Sequence, residues 1–393
     1  MNKKILIIPS WYPTPKRPLN GSFFKEQAEF LENSKVGEFV VLYGDEQSTP
    51  FHKLIWIYFL SLVKIKWPIH QSLVIQGPEA YGFIVPKNRR FPEKYRVKLA
   101  IRLYQKAYLT LLSKGFQPDL IHAQSGMDAG IYAHDISKTY KIPFVILEHQ
   151  VFVFHYFSRH KAKLVLQAFE AAKNTAAVSY DERRQILMNQ PNCNPIVIPN
   201  LVDESKFDVI TKINRSKFQI VTFMYANRIK GYQTFFQAMN QLQYLTDDFS
   251  FTVVGNGVVQ GINVYEEICE ELNITSKSEF IPRIKREDIP GFFQNFDVYA
   301  CSSNFESFGI APREAMMCGL PVVSTANGGV EDCITPETGV IVPVKDPSAM
   351  AKAVLKIKNN ELKFDPQYIR KLVIQQCGKE VFLKSMSDFY KID

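Results

Sequence analysis

The sequence predicts an α/β protein with two doubly wound parallel sheets. Short apolar runs alternate with amphipathic helical stretches along almost all of the 393 residues. Many of these runs are apolar on both faces, as strands of a covered parallel sheet are. There are also more of them than one ordinary open sheet holds, so two domains are expected.

The first strand series is expected at residues 4–9, 39–43, 120–122, 144–147, 176–178 and 196–198. The second is expected at 219–225, 251–254, 279–281, 298–300, 321–324 and 340–342. Helices such as 23–32, 96–113, 232–242 and 312–318 lie between them. The pattern breaks near 199–215, where Pro199-Asn200-Leu201-Val202-Asp203 leads into a polar, charged stretch. Residues 1–205 are therefore read as one domain and 206–376 as a second. Residues 377–393 are read as a last helix, with packing back on the first domain left open.

Composition narrows the class. Hydrophobic residues make up 46% and charged residues 22%, which excludes disorder, collagen and coiled coil. The net charge of +8 favours anionic partners. The run Ile5-Leu6-Ile7-Ile8 is too short for a signal-peptide core, and Pro9 follows it. No stretch reaches the roughly 20 apolar residues that a membrane span needs. A cytoplasmic protein is expected. The 6 cysteines form no CxxC pair and read as reduced core thiols, so no zinc is expected.

The strongest local signal is Asn304-Phe-Glu306-Ser-Phe-Gly309-Ile-Ala-Pro-Arg-Glu314, just after a predicted strand. Gly309 lets backbone approach a ligand, and a helix start near 311–312 would aim its first amides at the loop. Glu306 falls on the loop and Glu314 in the first turn of the helix, so both carboxylates can line one pocket. The competing reading is a dipole-stabilising Glu314 and a solvated Glu306. A second signal is Tyr225-Ala-Asn-Arg228-Ile-Lys230-Gly231, between a buried strand and a helix. That places Arg228 and Lys230 at the carboxyl edge of a sheet, where α/β proteins bind ligands. Its competing reading is a solvated basic turn.

The segment from Glu306 to Glu314 resembles the Glu-x7-Glu signature of retaining glycosyltransferase family four. Other pieces agree in order. They are Ser10-Trp-Tyr-Pro with Asn20-Gly21-Ser22-Phe23; Asp119-Leu-Ile-His122-Ala-Gln-Ser125; and Ile142-Pro-Phe-Val-Ile-Leu-Glu148-His149. Then come Val197-Ile-Pro-Asn200 to Phe207; Val253-Val-Gly255-Asn-Gly257; Gly328-Gly329-Val330-Glu331; and Thr338-Gly339-Val340. The resemblance covers nearly the whole chain. It implies the GT-B fold, two Rossmann-like domains facing across a cleft. It implies a retaining hexosyltransferase that moves a sugar from a nucleotide-diphosphate-sugar to an acceptor hydroxyl, with the nucleotide sugar as substrate and no cofactor or metal.

The resemblance also implies roles. Glu314 holds the ribose, and Glu306 and His149 contact the donor sugar. The amides around Phe308, Gly309 and Ile310 approach the sugar or the diphosphate. Arg228 and Lys230 neutralise the leaving diphosphate, although they stand closer together here than the family usually has them. Gly21 approaches phosphate, in a loop with Asn20 where the family often has a second glycine. His122 is ambiguous. Pro282, where the family commonly has glycine, bears on the choice of base.

The acceptor side rests on residues 51–98. An apolar, aromatic run from Phe51 to Leu60 precedes a basic stretch from Lys87 to Lys98. Together they suit peripheral docking on an anionic membrane and a glycan or lipid-linked glycan acceptor. The competing reading is a core helix with a solvated basic face. No nucleic-acid module appears, and no nucleic-acid partner is expected. An Asp-x-Asp metal clamp, a Walker motif and a Gly-x-Ser-x-Gly elbow are all absent. The expected setting is surface polysaccharide or lipid-linked glycan assembly. Alternatives are a nucleotide-sugar epimerase or hydrolase on the same scaffold, and a non-catalytic scaffold.

Overall fold

The structure, a computed structural model, describes residues 3–18, 20–63, 65–72, 77–150, 158–209 and 215–391. The chain forms two compact units. The first runs to Val178 and adds Glu182–Ile198 and the chain from Leu383 on. The second is Pro199–Phe382 with Ser179–Asp181.

The first unit is built on one sheet of eight strands. They are β1 (Lys4–Pro9), β2 (Glu38–Ser48), β3 (His70–Gln71), β4 (Glu79–Lys87), β5 (Leu120–Gln124), β6 (Phe144–Glu148), β7 (Asn174–Ala177) and β8 (Ile196–Val197). Their spatial order is β3-β4-β2-β1-β5-β6-β7-β8, parallel except for the short β3. Ile5 to Ile8 and all of β5 and β6 are buried, as both-face coverage demands.

The second unit holds a six-stranded parallel sheet. Its strands are β9 (Phe218–Phe223), β10 (Phe249–Val254), β13 (Ser278–Ile281), β14 (Val298–Cys301), β15 (Val322–Thr325) and β16 (Gly339–Val342). A two-residue pair, β11 (Val258–Val259) and β12 (Ile262–Asn263), stands apart as a small hairpin. The order β13-β10-β9-β14-β15-β16 reverses direction between β9 and β14. At such a reversal the loops leave the carboxyl ends of neighbouring strands in opposite directions, which opens a crevice.

The structure has the predicted fold class and corrects some elements. Strand β4 was not expected, because Gly82 and Pro86 interrupt its pattern. Among the described residues its long partner is β2, and β3 pairs with it at Tyr81 and Gly82, away from Pro86. Pro86 therefore lies on an open edge, where a missing N–H costs no ladder bond. Residues 199–205, read with the first domain, pack with the second. There the Val202 N–H donates to the Cys377 carbonyl over 3.1 Å.

The last helix, Lys379–Phe389, ends among first-unit residues. The Lys3 ammonium donates to the Tyr390 carbonyl (2.7 Å), and the Asn174 amide to that of Phe389 (3.0 Å). The Tyr390 hydroxyl lies 2.9 Å from His122 Nδ1. Burial drives the His122 pKa down to about 3, so the ring is neutral and structural.

His122 should make the protein acid-sensitive. Its folded pKa is depressed, so its contribution is whole above the ordinary value of 6.5 and is lost as pH falls towards about 3. In that window each pH unit costs up to about 1.4 kcal/mol. Urea unfolding across the window should show this slope, and His122→Asn should flatten it.

Candidate active site

The second unit gathers a site at the reversal between β9 and β14. After β9 the chain makes a 3₁₀ turn, Arg228–Lys230, and enters the helix Tyr232–Gln243 through Gly231. Asn227 caps the turn, its side-chain oxygen accepting the Ile229 N–H at 3.0 Å. After β14 the loop through Ser302 and Glu306 leads to Gly309 and the helix Ile310–Met317.

Several bonds tie the two loops. The Asn304 N–H donates to the Ile229 carbonyl and its side-chain amide to that of Arg228, both over 2.7 Å. The Ser302 hydroxyl donates to the Lys230 carbonyl at 3.1 Å. Gly231 has φ +61, and a Cβ there would sit 2.0 Å from the Ser302 carbonyl oxygen. Only glycine allows that approach.

These tied loops bring Lys230 and Glu306 together. The Lys230 ammonium donates to Glu306 Oε1 at 2.7 Å, and the Ser303 hydroxyl donates to the same oxygen at 2.7 Å. Glu306 is 14% exposed and Lys230 31%. Burial works against the Lys230 charge. The Glu306 carboxylate more than offsets it, and the net pKa is raised. Lys230 thus stays cationic, with donors beyond the one that Glu306 takes. Arg228 is exposed on the same turn, and so are the rings of Tyr225 and Phe305 on these loops.

The helix Ile310–Met317 begins earlier than its Pro312 suggested. Gly309, at φ +77, supplies the left-handed residue that starts it. A Cβ on Gly309 would meet Val330 at 2.5 Å. Phe308 is buried and Ile310 half-buried beside this helix start. The first amides, from Ile310 on, have no intrahelical acceptor. Glu314 consequently falls in the second turn, not the first, so it is not placed to stabilise the helix dipole. It is 2% exposed and pairs with the guanidinium of Arg286, which is 31% exposed.

Two residues here escaped the sequence reading. Arg286 follows β13 and carries no motif of its own; only the fold brings it to Glu314. Arg313 is buried within the helix, with its guanidinium 3.7 Å from the Phe308 ring centre. It donates to the carbonyls of Phe308 and, over 3.1 Å, of Gly329. It therefore locks the Glu306 loop to the Gly328–Gly329 turn, where the Glu306 N–H donates to Asn327 O at 3.0 Å.

Gly21 and His149 belong to the first unit. Gly21 has φ +72 and opens the helix Ser22–Asn33. Phe23 and Phe24 of that helix pack against the His149 ring, tilted and edge-on, at 5.7 and 4.8 Å between centres. Gly21 thus opens the helix whose first aromatic rings face His149. Glu148, which stands in the motif with His149 but was given no role by the sequence, is the anchor here. It is 1% exposed, and its carboxylate accepts the N–H groups of Gly126 (2.7 Å), His149 and Gln150 (both 3.0 Å). Burial raises its pKa, although these three donors pull it down. Glu148 ties the loop after β5 to the one that carries His149.

The family model described as Glycosyltransferase Family 4 matches residues 71–206, and the one described as Glycosyl transferases group 1 matches residues 203–371. The two models match successive parts of the chain, and the chain is a glycosyltransferase. A Bacillus subtilis relative named for teichuronic acid biosynthesis, the glycosyltransferase TuaC, is 22% identical over 91% of this chain and 90% of its own. Sucrose-phosphate synthase from Thermosynechococcus elongatus superposes with a TM-score of 0.75 at 17% identity, covering 99% of this chain and 98% of its own. HepE of Anabaena, solved with UDP and glucose, superposes at 0.71 with 16% identity over 99% of both chains. The fold of this glycosyltransferase is GT-B.

Gly231→Ala should test the tie between the two loops. The clash with Ser302 should cost more than about 2 kcal/mol and lower the melting temperature by several degrees. Gly261→Ala has positive φ but open space around it. Its backbone strain alone should cost about 1–2 kcal/mol, clearly less than Gly231→Ala, which adds the clash to the strain. Equal losses in the two variants would refute the tie.

Proposed function

We propose that this glycosyltransferase is a retaining hexosyltransferase of surface polysaccharide or lipid-linked glycan assembly. Its donor is a nucleotide-diphosphate-sugar and its acceptor a glycan or lipid-linked glycan. It works in the cytoplasm at the inner face of the cell membrane, through a peripheral contact within residues 51–98. The observation that carries the reading is the Lys230–Glu306 pair at the reversal of the second sheet, beside the helix start at Gly309.

Each group has a role in that reaction. The bond from the anomeric carbon to the β-phosphate oxygen breaks on the face where the acceptor oxygen bonds. The leaving phosphate takes the acceptor proton, so no enzyme base is needed. Lys230 and Arg228 offset the growing diphosphate charge in place of a metal. The amides of Phe308, Gly309 and Ile310 add fixed donors near the helix N-terminus. Glu306 accepts from a sugar hydroxyl, and Glu314 from the ribose. The family resemblance gives His149 a contact with the donor sugar and Gly21 one with phosphate. The complexes of HepE with UDP and UDP-glucose support a nucleoside-diphosphate site, and the name of TuaC supports a polymer setting.

A thermal-shift panel with UDP, GDP, ADP, CMP and dTDP tests the donor site. At one hundred times Kd the matching diphosphate should add about 2.7 kcal/mol of stability, with or without magnesium. Lys230→Ala should lose that shift. A magnesium requirement would overturn the metal-free mechanism. No shift with any nucleotide would overturn the donor site.

Glu306→Ala should abolish sugar transfer while leaving the fold intact. Retained transfer in that variant would remove Glu306 from the mechanism. Nuclear magnetic resonance of the product's anomeric centre decides between retention and inversion.

A further inference from the structure

A ten-residue helix of the first unit is apolar almost all round, yet only one of its residues is buried. The helix is Phe51–Leu60, and the buried residue is Leu54. Ile55, Ile57 and Tyr58 pack partly against the core. The opposite side stays open, with Trp56 66% exposed and Phe59 59%. The chain continues with Leu62, Val63 and Ile65, each more than half exposed. Trp56 and Phe59, three residues apart, share the outward face of the helix, and exposed Leu62, Val63 and Ile65 follow just past its end. A helix in a globular unit normally turns its large apolar residues inward, so this stripe lacks a covering partner.

The stripe is firmly held. The buried Lys106 ammonium donates to the carbonyls of Leu60 (3.1 Å) and Val63 (2.5 Å). Thr110 donates to the Trp67 carbonyl at 2.8 Å. On the inner side Tyr58 packs edge-on to Phe91 and Tyr95, with the Arg102 guanidinium 5.1 Å from its ring centre. These contacts also bring the start of the helix Glu93–Leu112 alongside.

That neighbouring segment supplies the charge. Residues 51–98 contain nine Lys and Arg but two Glu, against a net charge of +8 for the whole chain. Lys53, Lys66, Arg89, Arg90, Lys94 and Lys98 are exposed. Lys64 and residues 73–76 lie outside the described residues. An exposed apolar stripe with tryptophan in it and a cationic surround matches a bilayer interface with anionic headgroups. No helix among the described residues is long and apolar enough to cross a membrane. A second copy fits poorly, because a two-fold contact would set these cations against each other.

We propose that Trp56, Phe59, Leu62, Val63 and Ile65 insert into the interface of an anionic phospholipid bilayer, with Arg89, Arg90, Lys94 and Lys98 on its headgroups. This deepens the membrane contact of the proposed function and rests on it. The helix lies in the plane of the interface.

Vesicle flotation of the full chain tests it, with phosphatidylcholine alone and with added phosphatidylglycerol. The protein should float with the anionic vesicles, less so at high salt. Brominated acyl chains should quench fluorescence, and Trp56→Phe should remove that quenching. Trp56→Ser with Phe59→Ser should weaken partitioning by roughly tenfold or more. Arg89→Gln with Arg90→Gln should weaken it on anionic vesicles only.

Wild type that floats with neither vesicle overturns the inference, as does a serine variant that floats like wild type. A dimer dissolved by the serine variant would assign the stripe to a second copy instead. The nucleotide shift, read on the same samples, keeps the readings apart. Lost flotation with the shift intact overturns the docking alone; a lost shift with flotation intact overturns the donor site alone.

Discussion

A lysine and a glutamate 76 residues apart in the chain meet at 2.7 Å where the second sheet reverses direction. Much of the site's local structure serves that meeting. The strand order β13-β10-β9-β14-β15-β16 puts β9 next to β14 and sends their loops apart. Left alone, two such loops would lose their charged side chains to water. Here the side chain and amide of Asn304, the Ser302 hydroxyl and the glycine at 231 pin one loop to the other. Pinning matters because it holds the partly buried ammonium beside the carboxylate that favours its charged form. Removing either partner leaves the other with an uncompensated charge.

The same logic recurs at the neighbouring groups. Glu314 is almost wholly buried and meets Arg286, and Arg313 is buried against the Phe308 ring and backbone carbonyls. In the first unit Glu148 is buried on three backbone amides. In each case a charge sits where water cannot screen it and is matched by fixed dipoles or an opposite charge. Such preorganised groups need little rearrangement when a charged ligand arrives, which is the arrangement that charge-transfer chemistry favours. The proposed transfer uses it directly, since diphosphate charge grows as the sugar leaves.

The first unit contrasts with this. Its sheet is covered, and its terminal segment is tied down by Lys3, Asn174 and the His122–Tyr390 contact. Its apolar material nevertheless spills onto the surface along one short helix. Burial elsewhere is thorough enough that Ile5 to Ile8 are inaccessible, so the exposed Trp56 and Phe59 are not the product of a small core. With Leu62, Val63 and Ile65 they form a run of exposed apolar residues next to a strongly cationic stretch of the chain.

The amino-acid order was enough to read the α/β class, the division into two parts and the two loops that carry Lys230 and Glu306. These are consequences of local chemistry: both-face apolar runs, glycine at positive φ and a helix start after a strand. The limits were also local. Strand β4 hid behind Gly82 and Pro86, because an edge position that tolerates proline shows only in the pairing. Gly309 moved the helix start and so shifted Glu314 by a turn. Arg286, Arg313 and Glu148 carry no spacing signal, since their partners are backbone carbonyls, amides or a residue far along the chain. Which charge meets which depends on strand order, and strand order is a property of the folded sheet that no stretch of sequence contains.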